Sequence, residues 1–338
     1  GKSETEIILA LPNDSKEKHF KSIEFAISNQ VKTLRIFQAI MLIGTEMASP
    51  EYRQQYGLKT SYRILPGTAG IYNICGEKHA SPEIEEIITA TKDLTRAEYL
   101  ECRVMDLVVS TFYNNSFFDE VFQLLSALDL SIFDLLLIVN EKIESFSAEL
   151  ADIIQLYKTE TMELFESKSD AFSFGSDPTN IQLFADGVLG NNEMLTGRVR
   201  LFNVFPQLNN LLFVSLEDLL TSNQLFSIKV QQYVDELKEF IIARKNNMIE
   251  PSKEVDIKIF SYNFEEVVKA NFRVNPNQLD REKDSYKYVF YHDKDQQAYI
   301  ESMVETWSHH AFPLGKLLQN ANLNYMYRKI QLLNSVAA

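Results

Sequence analysis

The chain has 338 residues, 45% of them hydrophobic and including 23 Phe and 15 Tyr, enough to bury a sizeable core over one or two domains and to exclude wholesale disorder. Acidic residues outnumber basic ones 47 to 33, for a formal charge of −14, and a field of that sign repels phosphate backbones and anionic bilayers, which speaks against general nucleic-acid binding. The two cysteines, Cys75 and Cys102, supply neither a disulfide framework nor, alone, a zinc or iron–sulfur site; low cysteine usage suits a reducing cytoplasm, and no stretch approaches the ~18 apolar residues of a membrane span.

A strand signal begins almost at residue 5, which reads as a chain cut inside a domain. Glu6–Leu11 is a short apolar run stopped by Pro12-Asn13-Asp14. Asp14 followed by Glu17 has the spacing of a capping box, and Phe20, Ile23 and Ile27 give one helical stripe, closed by Asn29-Gln30. Thr33–Ile43 is a second β-rich run, so strand, helix and strand predict parallel pairing in an α/β sheet covered on both faces. Residues 44–82 are rich in Gly and Pro and predict a long loop region carrying Tyr52, Arg53, Tyr56, Lys59, Tyr62, Arg63 and Tyr72. Ser81-Pro82-Glu83 predicts a helix start.

The texture changes at Thr95. Thr95-x-x-Glu98 is a capping box for a helix whose buried face carries Ala97, Leu100, Val104, Leu107, Val108 and Thr111. Helical periodicity continues over Phe117–Leu128, Ile132–Glu144, Ser147–Lys168, Thr196–Leu220 and Leu225–Arg244. Val255–Ile259 and Tyr286–Tyr291 alternate as half-buried strands that predict a small antiparallel sheet, followed by a helix from Lys294 to Trp307.

Three constellations carry candidate chemistry. Glu6 on the first strand, with Leu11 and Pro12 at its carboxyl end, puts a carboxylate at a strand-to-helix junction; an ordinary βα junction has the same composition. Gly44-Thr45-Glu46 places a hydroxyl and a carboxylate just past the second strand, or serves only the turn backbone. Arg63 suits bidentate capture of a carboxylate or phosphate, though most loop arginines simply face water. The adjacent His309 and His310 diverge by about 100° on a helix and make a poor metal pair. His19 reads as solvent-facing, and Cys75 as a small hydrophobe. No G-x-S-x-G, phosphate-binding loop or G-x-G-x-x-G occurs.

Read in order, the first 95 residues resemble the C-terminal part of a radical S-adenosylmethionine (SAM) protein of the cobalamin-binding-domain type. Thr5-Glu-Ile-Ile-Leu-Ala-Leu-Pro12 resembles that family's (D/E)-x-I-x-G-L-P strand, with Ala10 in place of Gly. Met41-Leu-Ile-Gly-Thr45-Glu46-Met47 is similar to its L-P-G-T-E segment, with Ile43 in place of Pro. Tyr52-Arg53, Tyr62-Arg63-Ile-Leu-Pro66 and Glu83-Ile-Glu-Glu-Ile-Ile-Thr-Ala-Thr-Lys-Asp-Leu94 follow in family order, and Leu314–Leu318 and Tyr327-Arg328-Lys329 resemble its tail.

The resemblance implies an α/β partial (β/α) barrel over residues 1–95, a mostly α-helical domain over 96–250, and a small α+β segment with an antiparallel sheet over 251–338. It implies reductive cleavage of SAM by a [4Fe–4S] cluster and, with cobalamin, methyl transfer or rearrangement on a small-molecule or peptide substrate. The C-x3-C-x2-C loop that binds such a cluster is absent from the sequence, so cluster and cobalamin are expected in a missing N-terminal half of the chain. Glu6 is the implied ribose ligand, Leu11 and Pro12 border adenine, Gln38, Thr45 and Glu46 lie beside cofactor or substrate, and Arg63 contacts an anion. Two rivals remain: a non-catalytic helical interaction or structural module, and a different barrel enzyme in which Glu6, Glu46 and Arg63 converge.

Overall fold

The first apolar run, stopped by Pro12, forms β1 (Glu4–Leu9), and the helix after it is α1 (Lys16–Ser28). Its N-cap is Ser15, whose side chain accepts from the Lys18 N–H, while Asp14 instead accepts from the Ala10 and Ser15 amides. Next come β2 (Thr33–Gln38), α2 (Pro50–Tyr56), β3 (Lys59–Ile64), β4 (Gly70–Ile74), β5 (Glu77–Ser81), β6 (Ile84–Ala90) and α3 (Arg96–Val108), the last capped by the predicted Thr95–Glu98 box. The central run is helical: α4 (Asp119–Ala127), α5 (Ile132–Lys142), α6 (Ala148–Thr161), α7 (Lys168–Gly175), α8 (Pro178–Ala185), α9 (Glu193–Asn203), α10 (Phe205–Ser222) and α11 (Ile228–Lys245). The chain continues through β7 (Asp256–Phe260), α12 (Phe264–Lys269), β8 (Tyr286–Tyr291), α13 (Lys294–Trp307), α14 (Pro313–Asn320), α15 (Leu323–Met326) and β9 (Lys329–Leu333). This computed structural model describes residues 3–65, 70–185, 189–190, 192–246, 248–250, 255–282, 286–308 and 313–333. Pro66, Gly67, His309 and His310 lie outside them.

The expected partial (β/α) barrel does not form. Among the described residues, β1 and β2 are the one parallel pair; every other ladder is antiparallel, and the sheets have two or three strands with no closed ring. The reason lies in residues 59–90. Ser81-Pro82-Glu83 leads not into a helix but into β6, whose Ile84, Ile87, Ile88 and Thr89 are β-branched and favour a pleated surface. β6 returns antiparallel onto β3, with the β4–β5 hairpin nested between them. Antiparallel return needs no crossover helix, so no second βα unit follows the first. The supposed loop region 44–82 is largely ordered: α2 is capped by Ser49 and ended by Gly57 at φ +59°, a left-handed position that favours glycine.

A short extended stretch after β2 links the two small sheets, where the Ile88 N–H donates to the Ala39 carbonyl and the Met41 N–H to that of Glu86. Leu9, Ala10, Ala39, Met41, Ile88, Leu94, Tyr99 and Cys102 pack there as one core. The helical remainder and a three-stranded antiparallel sheet, β7-β8-β9, are present. Thr196–Leu220 is two helices, broken at Val204 ahead of Pro206. The chain divides into two compact units, residues 1–110 with 152–197, and residues 111–151 with 198–338. Among the described residues no helix is long and apolar enough to cross a membrane.

Candidate functional site

Where β1 turns into α1 the first unit carries an open groove of about 480 Å³, lined by Glu6, Ile8, Leu11, Pro12, Asp14 and Lys18 among others. The turn is tight. Ala10, fully buried, holds φ +71° and Asn13 φ +63°, and the Asp14 carboxylate braces the turn by accepting from the Ala10 N–H at 3.3 Å and the Ser15 N–H at 3.0 Å. Burial raises Asp14 above the usual carboxylate range, against the pull of His19 and of those two amides. Glu6 is exposed, and its carboxylate has no hydrogen bond or ion pair among the described residues.

Beneath the groove lies a buried chain of alternating charge. His19 is 1% exposed, not solvent-facing. Its Nε2 meets Asp106 Oδ1 at 2.8 Å, Asp106 Oδ2 accepts from Arg103 Nη1 at 3.4 Å, and Arg103 Nη2 donates to Glu193 Oε1 at 2.9 Å. Tyr157 Oη donates to the Arg103 carbonyl at 3.0 Å. Burial opposes charging His19, but Asp106, with Asp14 behind it, prevails over burial and over Arg103, so the imidazole sits above its ordinary value. Sequence reasoning missed this network although its spacing was visible: His19 stands four residues before Ile23 on the apolar stripe of α1, and Tyr99, Cys102, Arg103 and Asp106 recur at three- and four-residue intervals on α3.

The other predicted site residues lie apart from the groove. Gln38, at the end of β2, donates from Nε2 to Tyr99 Oη at 2.8 Å and accepts from Arg63 Nη1 at 3.0 Å. Arg63 Nε also donates to Glu85 Oε2 at 2.9 Å, so the guanidinium is already engaged across β3, β6 and β2. Thr45 donates its hydroxyl to the Leu42 carbonyl at 2.7 Å, and the exposed Glu46 opens a single helical turn, Glu46–Ala48, whose Met47 and Ala48 pack against the core. Neither Glu46 nor Arg63 lines the groove that holds Glu6, so these three do not converge. Arg53 and Glu86 form a second pair, with Thr60 donating to the same carboxylate at 2.6 Å.

The cysteines do not fit a [4Fe–4S] cluster. Cys75 is exposed in the β4–β5 turn at φ +53°, whereas Cys102 is buried in α3, where desolvation and then Asp106 push its thiol far up and hold it protonated. Among the described residues no three His, Cys, Asp or Glu side chains are grouped to hold a metal ion. No protein-family model and no curated protein matches this chain.

Proposed function

We propose that the β1–α1 groove is an adenosine-binding edge of a radical SAM enzyme, with the iron–sulfur cluster, and cobalamin where used, held outside this chain. The observation that carries the reading is that Glu6, Leu11 and Pro12 line one open groove; the ordered resemblance of residues 5–94 supplies the ligand class. Glu6 brings two acceptor oxygens that no neighbour among the described residues occupies, suited to both hydroxyls of a ribose. Leu11 and half-buried Pro12 offer an apolar border for a purine. The strained Ala10 and the Asp14 brace fix the height of that border relative to Glu6. A cluster held elsewhere would supply the reductive cleavage of SAM, and no residue of this chain is assigned a part in that step.

Calorimetric titration of the chain with SAM and with S-adenosylhomocysteine tests the proposal. Saturable binding is expected, and E6Q should weaken it about tenfold or more, the scale of one lost hydrogen bond to a charged acceptor. Absence of saturable binding at millimolar ligand, or an E6Q chain with undiminished affinity, overturns it.

A further inference from the structure

In β7, the edge strand of the three-stranded sheet, hydrophobic alternation runs the wrong way until the strand ends on the buried Phe260. A strand with one face on a core turns its apolar set inward. In β7 the inward positions include Asp256 and Lys258, both half-buried, which reach Arg328 and Glu239 at 3.9 Å each. The outward positions are Ile257 and Ile259, exposed to 46% and 55%, and Val255, the residue just before the strand, is 56% exposed. β7 pairs with β8 on one side, and no strand among the described residues pairs with the other. Three β-branched apolar side chains on an open strand edge are a pairing surface unless something covers or blunts them.

We propose that β7 is a homodimerisation edge, pairing antiparallel with β7 of a second copy about a twofold axis through Ile257. The charges on the strand select both occupant and register. Opposed residues of an antiparallel pair share a face, so a twofold pairing must centre on a residue. Centred on Asp256 it sets Asp256 against Asp256, and centred on Lys258 it sets lysine against lysine; both repel. Centred on Ile259 it sets Lys258 against Phe260 and leaves the charge without an opposite, whereas centred on Ile257 it sets Asp256 against Lys258 twice on the inner face. On the outer face Ile257 meets Ile257 and Val255 meets Ile259 twice. The result is one six-stranded sheet with an unbroken apolar ladder across the new edge. A strand of this length buries well under the roughly 800 Å² per partner of a stable complex, so the dimer is weak, with a dissociation constant of about 100 µM.

Sedimentation velocity on the full chain between about 5 and 500 µM, at physiological ionic strength, tests this. The weight-average sedimentation coefficient should climb toward the dimer, and the amides of residues 255–259 should exchange more slowly as concentration rises. Ile257→Lys, at an exposed position that leaves folding intact by circular dichroism, should weaken association at least tenfold. Lys258→Asp should do the same by opposing two carboxylates, and the double swap D256K/K258D should restore it. A chain that stays monomeric throughout, or a dimer indifferent to I257K, overturns the proposal. Because the swap also sets a lysine beside Arg328 and an aspartate beside Glu239, it is read on a chain whose circular dichroism and unfolding midpoint match the unmodified one; a folded double swap that fails to restore association overturns the register and the choice of a second copy with it.

Discussion

In the first unit, buried charge is strung out: His19, Asp106, Arg103 and Glu193 alternate in sign from α1 through α3 to α9, and Asp106 and Arg103 each have partners on two sides. In the second unit it is enclosed. Lys245, 2% exposed, donates to Glu120 Oε2 at 2.6 Å and to the Phe117 carbonyl, under the rings of Phe117 and Tyr327. Among the described residues Glu120 has one further partner, Arg244 at 3.4 Å. Removing a member of a strung-out network leaves its neighbours partly satisfied, whereas removing half of an enclosed pair strands a charge in an apolar cage. The two units should therefore answer the same kind of mutation differently.

The largest effect is expected at Glu120. Glu120→Ala leaves the Lys245 ammonium with one carbonyl and two aromatic faces, and should cost about 3–5 kcal/mol. Trp307, the single tryptophan, lies in the second unit, so its fluorescence in a urea titration reads this loss directly. Replacing both partners, Glu120→Gln with Lys245→Met, should recover much of it, because no fully buried charge is then left unpaired, although the Phe117 carbonyl loses its donor. A loss below about 1 kcal/mol for Glu120→Ala would break the contrast between the units.

Asp106→Asn should cost less, about 2–3 kcal/mol, because Arg103 keeps Glu193. It also bears on pH. His19 is raised in the folded chain, so the stability it contributes is fully present below about 6.5, its ordinary value, and is lost as pH rises through the raised folded value. Lys245 is shifted the other way, lowered by burial in spite of Glu120. Its contribution makes the second unit more stable as pH climbs from that lowered value toward the ordinary lysine range. Hydrogen exchange resolved by unit should thus show protection falling in the first and rising in the second on going alkaline. His19→Gln should flatten the first slope and leave the second unchanged; parallel slopes in both units would refute the assignment.

Ala10→Gly should act through the turn that leads from β1 into the groove. Ala10 holds a left-handed backbone at φ +71° with its side chain buried, and releasing that conformation should stabilise the first unit by about 0.5–1 kcal/mol in thermal unfolding. A destabilised variant would mean that the Ala10 methyl is needed in the core more than the strain is costly.

What the sequence made legible was local. The Thr95–Glu98 box, the strands and helix of the β1–α1–β2 unit, and the strands β7 and β8 each carry their signal within their own few residues, and each formed. What stayed hidden was decided by distant partners. Ser81-Pro82 carries a helix-start signal, yet β6 is a strand because β3, some twenty residues upstream, offers it a ladder. His19 looked like a surface histidine because its partner, Asp106, is 87 residues away. For the groove, Glu6, Leu11 and Pro12 were legible as a set since they flank one turn, whereas Gln38 and Arg63 were legible as polar but not as each other's partners.

The smallest effects separate groove from scaffold. Arg63 is about one-third exposed and paired to Glu85, so Arg63→Gln should cost under about 1 kcal/mol. Thr45→Ala, which removes one hydroxyl from an exposed turn, should stay within about 0.5 kcal/mol. Neither residue lines the groove, so SAM affinity in the calorimeter should match the unmodified chain for both, while E6Q falls. If Thr45→Ala weakened the nucleoside instead, the ligand would have to reach past the end of β2, and the site would be a broader surface spanning both strand ends rather than the single turn between β1 and α1.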